Sequence, residues 1–327
     1  MADAIVLRNL TKTFGDTVAV RDLDLTVPEG ALYGVIGPNG AGKTTTIRLI
    51  LSILFPDRGE LTVFGRRSAL DAKDRIGYLP EERGLYKKMR VRDFLAYIAR
   101  LKGSDSPDLV ARVRTWLDRV GLLAIEQKRC EELSKGMQQK VQFLAAIIHR
   151  PDLIILDEPF AGLDPVNQRL LRDLVLEEHE RGATVLFSTH VMVHAEQLCD
   201  RVVMIHRGAK VLDEETSSIR ARFDPRSIIF EPLDARADLQ ALRTVAGVRA
   251  LRKDGAAWEI LLDERADPAA VMRALTAAVA PARIEMRRPT LEDVFVGIVA
   301  DAEGTGEDGE RLRAGLRDEA GLPEVTR

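Results

Sequence analysis

The sequence predicts an α/β fold, a three-layer sheet with a helical insertion, followed by a small α+β domain of ferredoxin-like pattern. Three observations predict it. Short apolar strands alternate with helical segments through residues 4–215. One strand, at residues 31–36, ends in a glycine-rich turn, and helical apolar spacing follows at Ile47, Ile50, Leu51 and Leu54. Past residues 219–225 the order changes to strand, helix, strand, strand, helix, strand.

Residues 4–10 and 24–27 read as the first strands. Residues 43–54 form the helix after the glycine turn, and 61–64 and 76–79 are further strand candidates. From 91 to 122 the pattern is helical. Ser106-Pro107 is an expected helix start there, a capping hydroxyl followed by a proline that needs no N–H partner. This stretch belongs to a helical insertion over about residues 88–150. Strands return at 153–156, 184–188 and 202–206, and the first domain is expected to span residues 1–220. The second, 221–300, has strands at 227–231, 248–253, 257–262 and 283–287 and helices at 237–245 and 268–279. Asp254-Gly255 turns its middle hairpin. A last helix is expected to begin at Thr290, capped by that side chain with Asp293 at the third helical position. Residues 301–327 are Gly-rich and charged with almost no large apolar residue, and are expected to be a disordered tail.

The chain is 46% hydrophobic with a net charge of −3. It can bury a core, and no global basic field draws it to nucleic acid, so no nucleic-acid partner is expected. Cys130 and Cys199 lack metal-ligand spacing and any disulfide framework, which suits buried thiols in a reducing compartment. The N-terminus does not read as a signal peptide, and no apolar run reaches the roughly 20 residues that a spanning helix needs. A soluble protein is expected, brought to any membrane by another protein.

Gly37-Pro38-Asn39-Gly40-Ala41-Gly42-Lys43-Thr44 fits G-x-x-x-x-G-K-[ST], after a strand and opening a helix. Glycines let backbone N–H groups close on phosphate oxygens, and the helix start adds positive charge. Lys43 supplies a mobile cation for the β- and γ-phosphates and Thr44 a hydroxyl for Mg²⁺. Thr45 is counted with this nucleotide-binding set. The bland alternative, a glycine turn beside a surface lysine, leaves the strand and helix on either side unexplained. Leu153-Ile154-Ile155-Leu156-Asp157-Glu158 is an apolar strand ending in two acids, and ligands of open α/β sheets bind outside such strand ends. Asp157 can hold Mg²⁺ and Glu158 can polarise an attacking water. By themselves the two acids could equally cap the next helix. With the phosphate loop upstream, binding and hydrolysis of ATP is the better reading.

At this point the chain resembles the nucleotide-binding subunit of an ATP-binding cassette (ABC) transporter, over roughly residues 4–215. Leu133-Ser134-Lys135-Gly136-Met137-Gln138-Gln139 resembles the family signature, usually LSGGQ. Ala161-Gly162-Leu163-Asp164 matches the D-loop, Ser188-Thr189-His190 the switch histidine, and Phe14 stands where the family stacks an aromatic on adenine. The resemblance implies a P-loop NTPase fold of the ABC ATPase type. It also implies two ATP-binding subunits meeting head to tail, so that Ser134 and Gly136 grip the γ-phosphate in trans. His190 would hydrogen-bond that phosphate and help orient Glu158 and the water. Phe14 as a core residue, and His190 as the end of a core strand, are the structural alternatives.

Lys135 and Met137 depart from the signature, while Ser134 and Gly136 are kept. In Gly77-Tyr78-Leu79-Pro80-Glu81-Glu82-Arg83-Gly84-Leu85-Tyr86 the family's usual glutamine is Glu81, a hard oxygen donor expected to ligate Mg²⁺. Leu85, Tyr86, Met89, Val91 and Phe94 are expected to offer an apolar surface to a membrane permease, unless they only pack the helical insertion, the reading preferred for Phe94 and Leu95. The Tyr78–Tyr86 segment and residues 288–295 are similar to ATPase subunits of bacterial sodium and antibiotic exporters. The implied protein powers a separate permease from the cytoplasmic face of the membrane, with a second ATP-binding subunit, by ATP-driven dimer closure. The rival is a soluble ABC-type ATPase acting on nucleic acid or ribosomes. It fits less well with one phosphate loop, no long heptad run and a slightly acidic balance.

Overall fold

The computed structural model describes residues 2–82, 84–222, 226–237, 239–287 and 289–303. Arg83, Arg288 and residues 304–327 of the expected tail lie outside the described residues. The chain divides into two compact units, Met1–Thr216 and Ser217–Arg327.

In the first unit β1 (Asp3–Phe14) and β2 (Thr17–Pro28) form a long hairpin, and β3 (Leu32–Ile36) leads through the glycine loop into α1 (Lys43–Ile50). Next come β4 (Arg58–Val63), β5 (Ile76–Leu79), α2 (Val91–Leu101), α3 (Leu109–Arg119) and α4 (Lys135–Ile147). The unit continues with β6 (Leu153–Asp157), α5 (Pro165–Glu180), β7 (Thr184–Thr189), α6 (Met192–Leu198), β8 (Arg201–His206) and β9 (Ala209–Glu215). A six-stranded sheet has the order β5-β6-β7-β3-β8-β9, parallel except for β9. Its central strands β3, β6 and β7 are buried along their whole length, as parallel strands covered on both faces must be, which is why they read as unbroken apolar runs. The sheet register sets Ile36 beside Thr189 and Asp157 beside Ser188. The end of the phosphate-loop strand, the acidic strand end and the switch-histidine strand therefore lie side by side at one sheet edge, where crossover topology leaves a ligand crevice.

Several expectations are corrected here. The first strands, to which the sequence assigns no sheet, lie outside the main one. They pair with β4 in a separate antiparallel sheet of order β2-β1-β4. That hairpin alternates buried and exposed residues, the pattern of a sheet with one covered face. The helix from Lys43 ends at Ile50 rather than 54, because Ser52 turns left-handed with φ 55°. α3 starts at Leu109, after a turn in which the Leu109 N–H donates to the Ser106 carbonyl, so Ser106-Pro107 begins a turn and not the helix. β9 has no counterpart among the expected strands. Within the segment expected as an apolar surface, Val91 and Phe94 are buried with Leu95, while Tyr86 stands 51% exposed against the ring edges of Phe94 and Tyr97. Tyr33, fully buried in β3, donates to Asp213 of β9, which Arg201 also reaches at 3.0 Å. Burial, helped by Asp213, pushes the Tyr33 hydroxyl far above its ordinary pKa.

The second unit opens with α7 (Thr216–Arg222), whose first residue lies at the boundary. It continues as β10 (Ser227–Pro232), α8 (Gln240–Arg243), β11 (Val248–Asp254), β12 (Ala257–Leu262), α9 (Pro268–Ala278), β13 (Pro281–Met286) and α10 (Leu291–Glu303). Its antiparallel sheet has the order β11-β12-β10-β13, the strand arrangement of a ferredoxin-like βαββαβ unit. Phe230, Ile260, Leu242, Val271 and Leu275 form the core between sheet and helices. Gly255 at φ 60° turns the β11–β12 hairpin. Thr290 caps α10 as expected: its hydroxyl accepts the Asp293 N–H at 3.1 Å, and Asp293 accepts the Thr290 N–H at 3.3 Å. The helix expected over 237–245 is only one turn long, Gln240–Arg243.

Candidate functional site

The phosphate loop is held by close backbone approach. A Cβ at Gly37 would sit 2.2 Å from the Ile205 carbonyl oxygen, and one at Gly42 would sit 2.3 Å from that of Ala19. Gly42 also has φ 107°, so a side chain is barred there twice. At α1 the Lys43 side chain folds back over the loop. Its ammonium donates to the Gly37 carbonyl at 2.8 Å and the Pro38 carbonyl at 3.1 Å, and lies 3.9 Å from Glu158 Oε1. The cation is thus buried and already aimed along the loop. Thr44, next along α1, lies near enough to Asp157 to favour its charged form.

Asp157 ends β6 fully buried. It accepts from the Ser188 hydroxyl, but its Oδ2 has no hydrogen-bond partner among the described residues. Burial pushes its carboxyl pKa upward, against the hydrogen bonds from Ser188 and Thr44. Glu158 follows in a left-handed turn, φ 48°, with its N–H on the Ser188 carbonyl at 3.1 Å. Its carboxylate is gripped from β7. Thr189 Oγ1 donates to Oε2 at 3.1 Å, and the His190 N–H donates to Oε1 at 2.8 Å. The His190 ring nitrogen Nδ1 lies 2.7 Å from the same oxygen. Nearby, burial first and then Asp157 raise the Tyr78 hydroxyl to about 12.

Of these groups, Lys43, Thr44 and Glu158 line a cleft of about 730 Å³, together with Asn39, Gly40, Ala41, Gly42, Thr45, Glu81 and the end of the β1–β2 hairpin from Asp16 to Ala19. Its volume falls in the range of small-molecule sites. Glu81 is exposed at its rim. The hairpin residues, with Arg21 and Arg207, were not singled out from sequence. The turn Gly15-Asp16 directly after Phe14 was the available signal. Likewise Ser188 and Thr189 were read only as part of a motif, yet each serves one of the two acids.

The remaining predicted residues lie outside the cleft lining. Phe14 is 47% exposed at the end of β1, with the Lys12 ammonium 5.5 Å from its ring centre, so it is not a core residue. Ser134 is the N-cap of α4, accepting the Met137 N–H at 3.4 Å, and Gly136 lies in the first turn with only Leu163 close to where a Cβ would be. Asp164 caps α5, accepting from Val166 N and Asn167 N at 3.0 Å each. Those contacts, from Asn167 first, hold its carboxyl below the usual range. The other histidines serve structure: His179 meets the Gly30 carbonyl at 2.9 Å and His194 packs edge-on to Phe160. His149 is buried against the Ile76 carbonyl, and desolvation pulls its pKa down to about 4. Both cysteines are buried and free.

No described helix is long and apolar enough to cross a membrane. The family described as ABC transporter matches residues 20–161, and that described as ATP-binding protein DrrA1-3-like, C-terminal domain, matches residues 215–299. The chain is similar to the uncharacterized ABC transporter ATP-binding protein YhaQ of Bacillus subtilis, 40% identical over 89% of this chain and 97% of that protein. It is similar to Nod factor export ATP-binding protein I of Sinorhizobium fredii, 33% identical over 90% of this chain and 85% of that protein. Among solved structures, an ATP binding subunit of an ABC transporter matches with a TM-score of 0.63 and 31% identity, covering 67% of this chain and 93% of that one. The shared sheet edge, the loop around Lys43 and the likeness to YhaQ along nearly its whole length lead to one conclusion: the chain belongs to the ATP-binding subunits of ABC transporters, which bind ATP and hydrolyse it in transport.

Proposed function

We propose that the chain powers export through a separate membrane permease, working as one of two ATP-binding subunits at the cytoplasmic face. The observation that carries the catalytic part is the Glu158 carboxylate. Thr189 and His190 hold it from one side, and it stands 3.9 Å from the Lys43 ammonium. A carboxylate pinned in this way can orient a water toward a γ-phosphate in the cleft, while Lys43 offsets the negative charge that builds on that phosphate. His190, fixed by Glu158, would donate to the γ-phosphate or the water. Phe14 would lie against the adenine.

The residues fit a bound Mg²⁺. Oδ2 of Asp157 is a buried oxygen without a partner, and the Thr44 hydroxyl adjoins the same carboxylate. Thr44 and Asp157 would hold the ion, with Glu81 at the rim, and it would supply charge neutralisation on the phosphates. Ser134 and Gly136 lie off the cleft lining of their own chain, which favours their acting in trans on a second subunit's ATP. Closure of that pair would then drive the permease, with the exposed Tyr86 and its neighbours Leu85 and Met89 as docking surface. The export direction rests on the likeness to a protein named for Nod factor export.

The test is purification of the tagged full chain from detergent-solubilised membranes. A polytopic membrane protein should come with it, and ATPase activity should rise when the two are reconstituted together in vesicles. Full activity of the chain alone, combined with ATP-dependent sedimentation on ribosomes, would sink the transport reading in favour of its soluble rival.

A further inference from the structure

The second unit has a groove of about 410 Å³ that the ATPase reading does not use. It exists because α8 is one turn long. Four helical residues span about 6 Å, too little to cover the face of a four-stranded sheet. Leu242 of α8 is buried in the core with Phe230 and Ile260. Past that core, at the open end of the sheet, the register pairs Trp258 with both Phe230 and Lys253. The groove is lined there by Leu239, Leu251 and Trp258, with Arg243 and Lys253 beside them.

Two properties of these side chains point to a ligand. Leu239, Leu251 and Trp258 are only partly covered, so an apolar floor stays accessible. A half-covered indole is a rigid surface for another flat apolar body. Moreover, no aspartate or glutamate is among the described lining residues, and the Arg243 and Lys253 side chains make no hydrogen bond or ion pair among the described residues. Asp254, next along the hairpin, does not line the groove. Two cations with no carboxylate among the described lining residues, beside an apolar floor, complement a molecule that is apolar at one end and anionic at the other.

We propose that this groove is a binding site for an amphipathic organic anion, whose apolar or aromatic body lies on Trp258 and Leu251 and whose carboxylate, phosphate or sulfonate meets Arg243 and Lys253. The site is separate from the ATP cleft in sequence and in lining, and it stands whether or not the chain exports anything.

Trp258 reports on it directly. The chain has two tryptophans, so Trp116→Phe leaves Trp258 as the sole emitter in the full-length protein. Titration of that variant with 8-anilino-1-naphthalenesulfonate should quench Trp258 emission and saturate at one dye per chain. N-phenyl-1-naphthylamine, similar rings without the sulfonate, should bind about tenfold or more weaker, as should the dye to Arg243→Glu/Lys253→Glu. Both cations are exposed, and unchanged far-UV circular dichroism would show that the reversed variant folds. Should it not fold, Arg243→Gln/Lys253→Gln gives the same reading. Equal affinity for both dyes, equal affinity in the charge variants, or quenching that never saturates would overturn the proposal. So would charge variants that bind dye as the parent does but change oligomeric state, which would assign the groove to a second copy of the chain.

Discussion

The cleft and the signature segment make a telling pair. At the cleft, the central charged groups have partners inside the chain: Lys43 on two loop carbonyls, Glu158 on Thr189 and His190, Asp157 on Ser188. Asp157 Oδ2 is buried with no hydrogen-bond partner among the described residues. The signature segment is the opposite. Ser134 serves only its own helix, and Gly136 has space around it. One region is organised by burial before any ligand arrives. The other lines no part of that cleft. Preorganised groups cost little to align during reaction, whereas a half-site acts only when something completes it.

The difference can be broken or sharpened by substitution. The largest effect should come from Glu158→Gln. It keeps the shape and one oxygen to accept the His190 N–H but removes the charge and the second acceptor, and ATPase turnover should fall by ~10²–10⁴ while ATP stays bound. Fast turnover in that variant, measured by phosphate release, would remove Glu158 from its role. Next is Ser134→Asp. Aspartate caps a helix as well as serine, so thermal stability should hold. A negative charge facing phosphate should nevertheless cut activity by about 10- to 100-fold, since like charges brought together cost several kcal/mol. Mixing Ser134→Asp chains with Lys43→Ala chains should then restore activity that neither has alone, because mixed pairs contain one intact shared site. No recovery on mixing would make the signature act within its own chain, and the contrast would collapse.

A smaller effect is expected at Glu81→Gln. Removing the rim carboxylate should raise the Mg²⁺ concentration needed for half-maximal ATPase activity by a few-fold, on the order of 1 kcal/mol. An unchanged Mg²⁺ titration would detach Glu81 from the metal. The smallest is Phe14→Ala. This exposed ring contributes little to stability, and its loss should weaken ATP binding by roughly 2- to 12-fold, the range of one aromatic contact. Calorimetric titration with ATP would detect this, and equal affinity would dismiss Phe14 as an adenine contact.

Much of this was legible beforehand, and the reasons differ by element. The loop at Gly37–Thr44 and the acids at Asp157 and Glu158 could be read because buried parallel strands are unbroken apolar runs and their ends carry the chemistry. The ferredoxin-like order could be read because a hairpin turn at Asp254-Gly255 splits two alternating strands. What escaped notice depends on distant partners. Nothing local says that β1 and β2 leave the main sheet for β4, since a strand's partner is chosen by tertiary packing. Val91 looks like surface beside Tyr86 until it begins α2, where it is buried with Phe94 and Leu95 and its N–H meets the Lys128 carbonyl. Ser188 and Thr189 are ordinary strand residues until β6 and β7 set Asp157 and Glu158 next to them. The early end of α1 turns on one left-handed residue, Ser52, which is not a residue type that announces it.

The tight seating of the phosphate loop has a consequence for anyone scoring variants. Gly37 presses on the Ile205 carbonyl at the end of β8, and Gly42 presses on the Ala19 carbonyl in β2. A side chain at either place collides with neighbouring strands whether or not a nucleotide is present. In a deep mutational scan both glycines would therefore register as intolerant even in a screen for abundance alone, where Glu158→Gln would pass unnoticed. Subtracting an abundance score from an activity score would erase the glycines from the apparent active site and leave the acid standing, so the residues most sensitive to change in this loop are the least informative about what it holds.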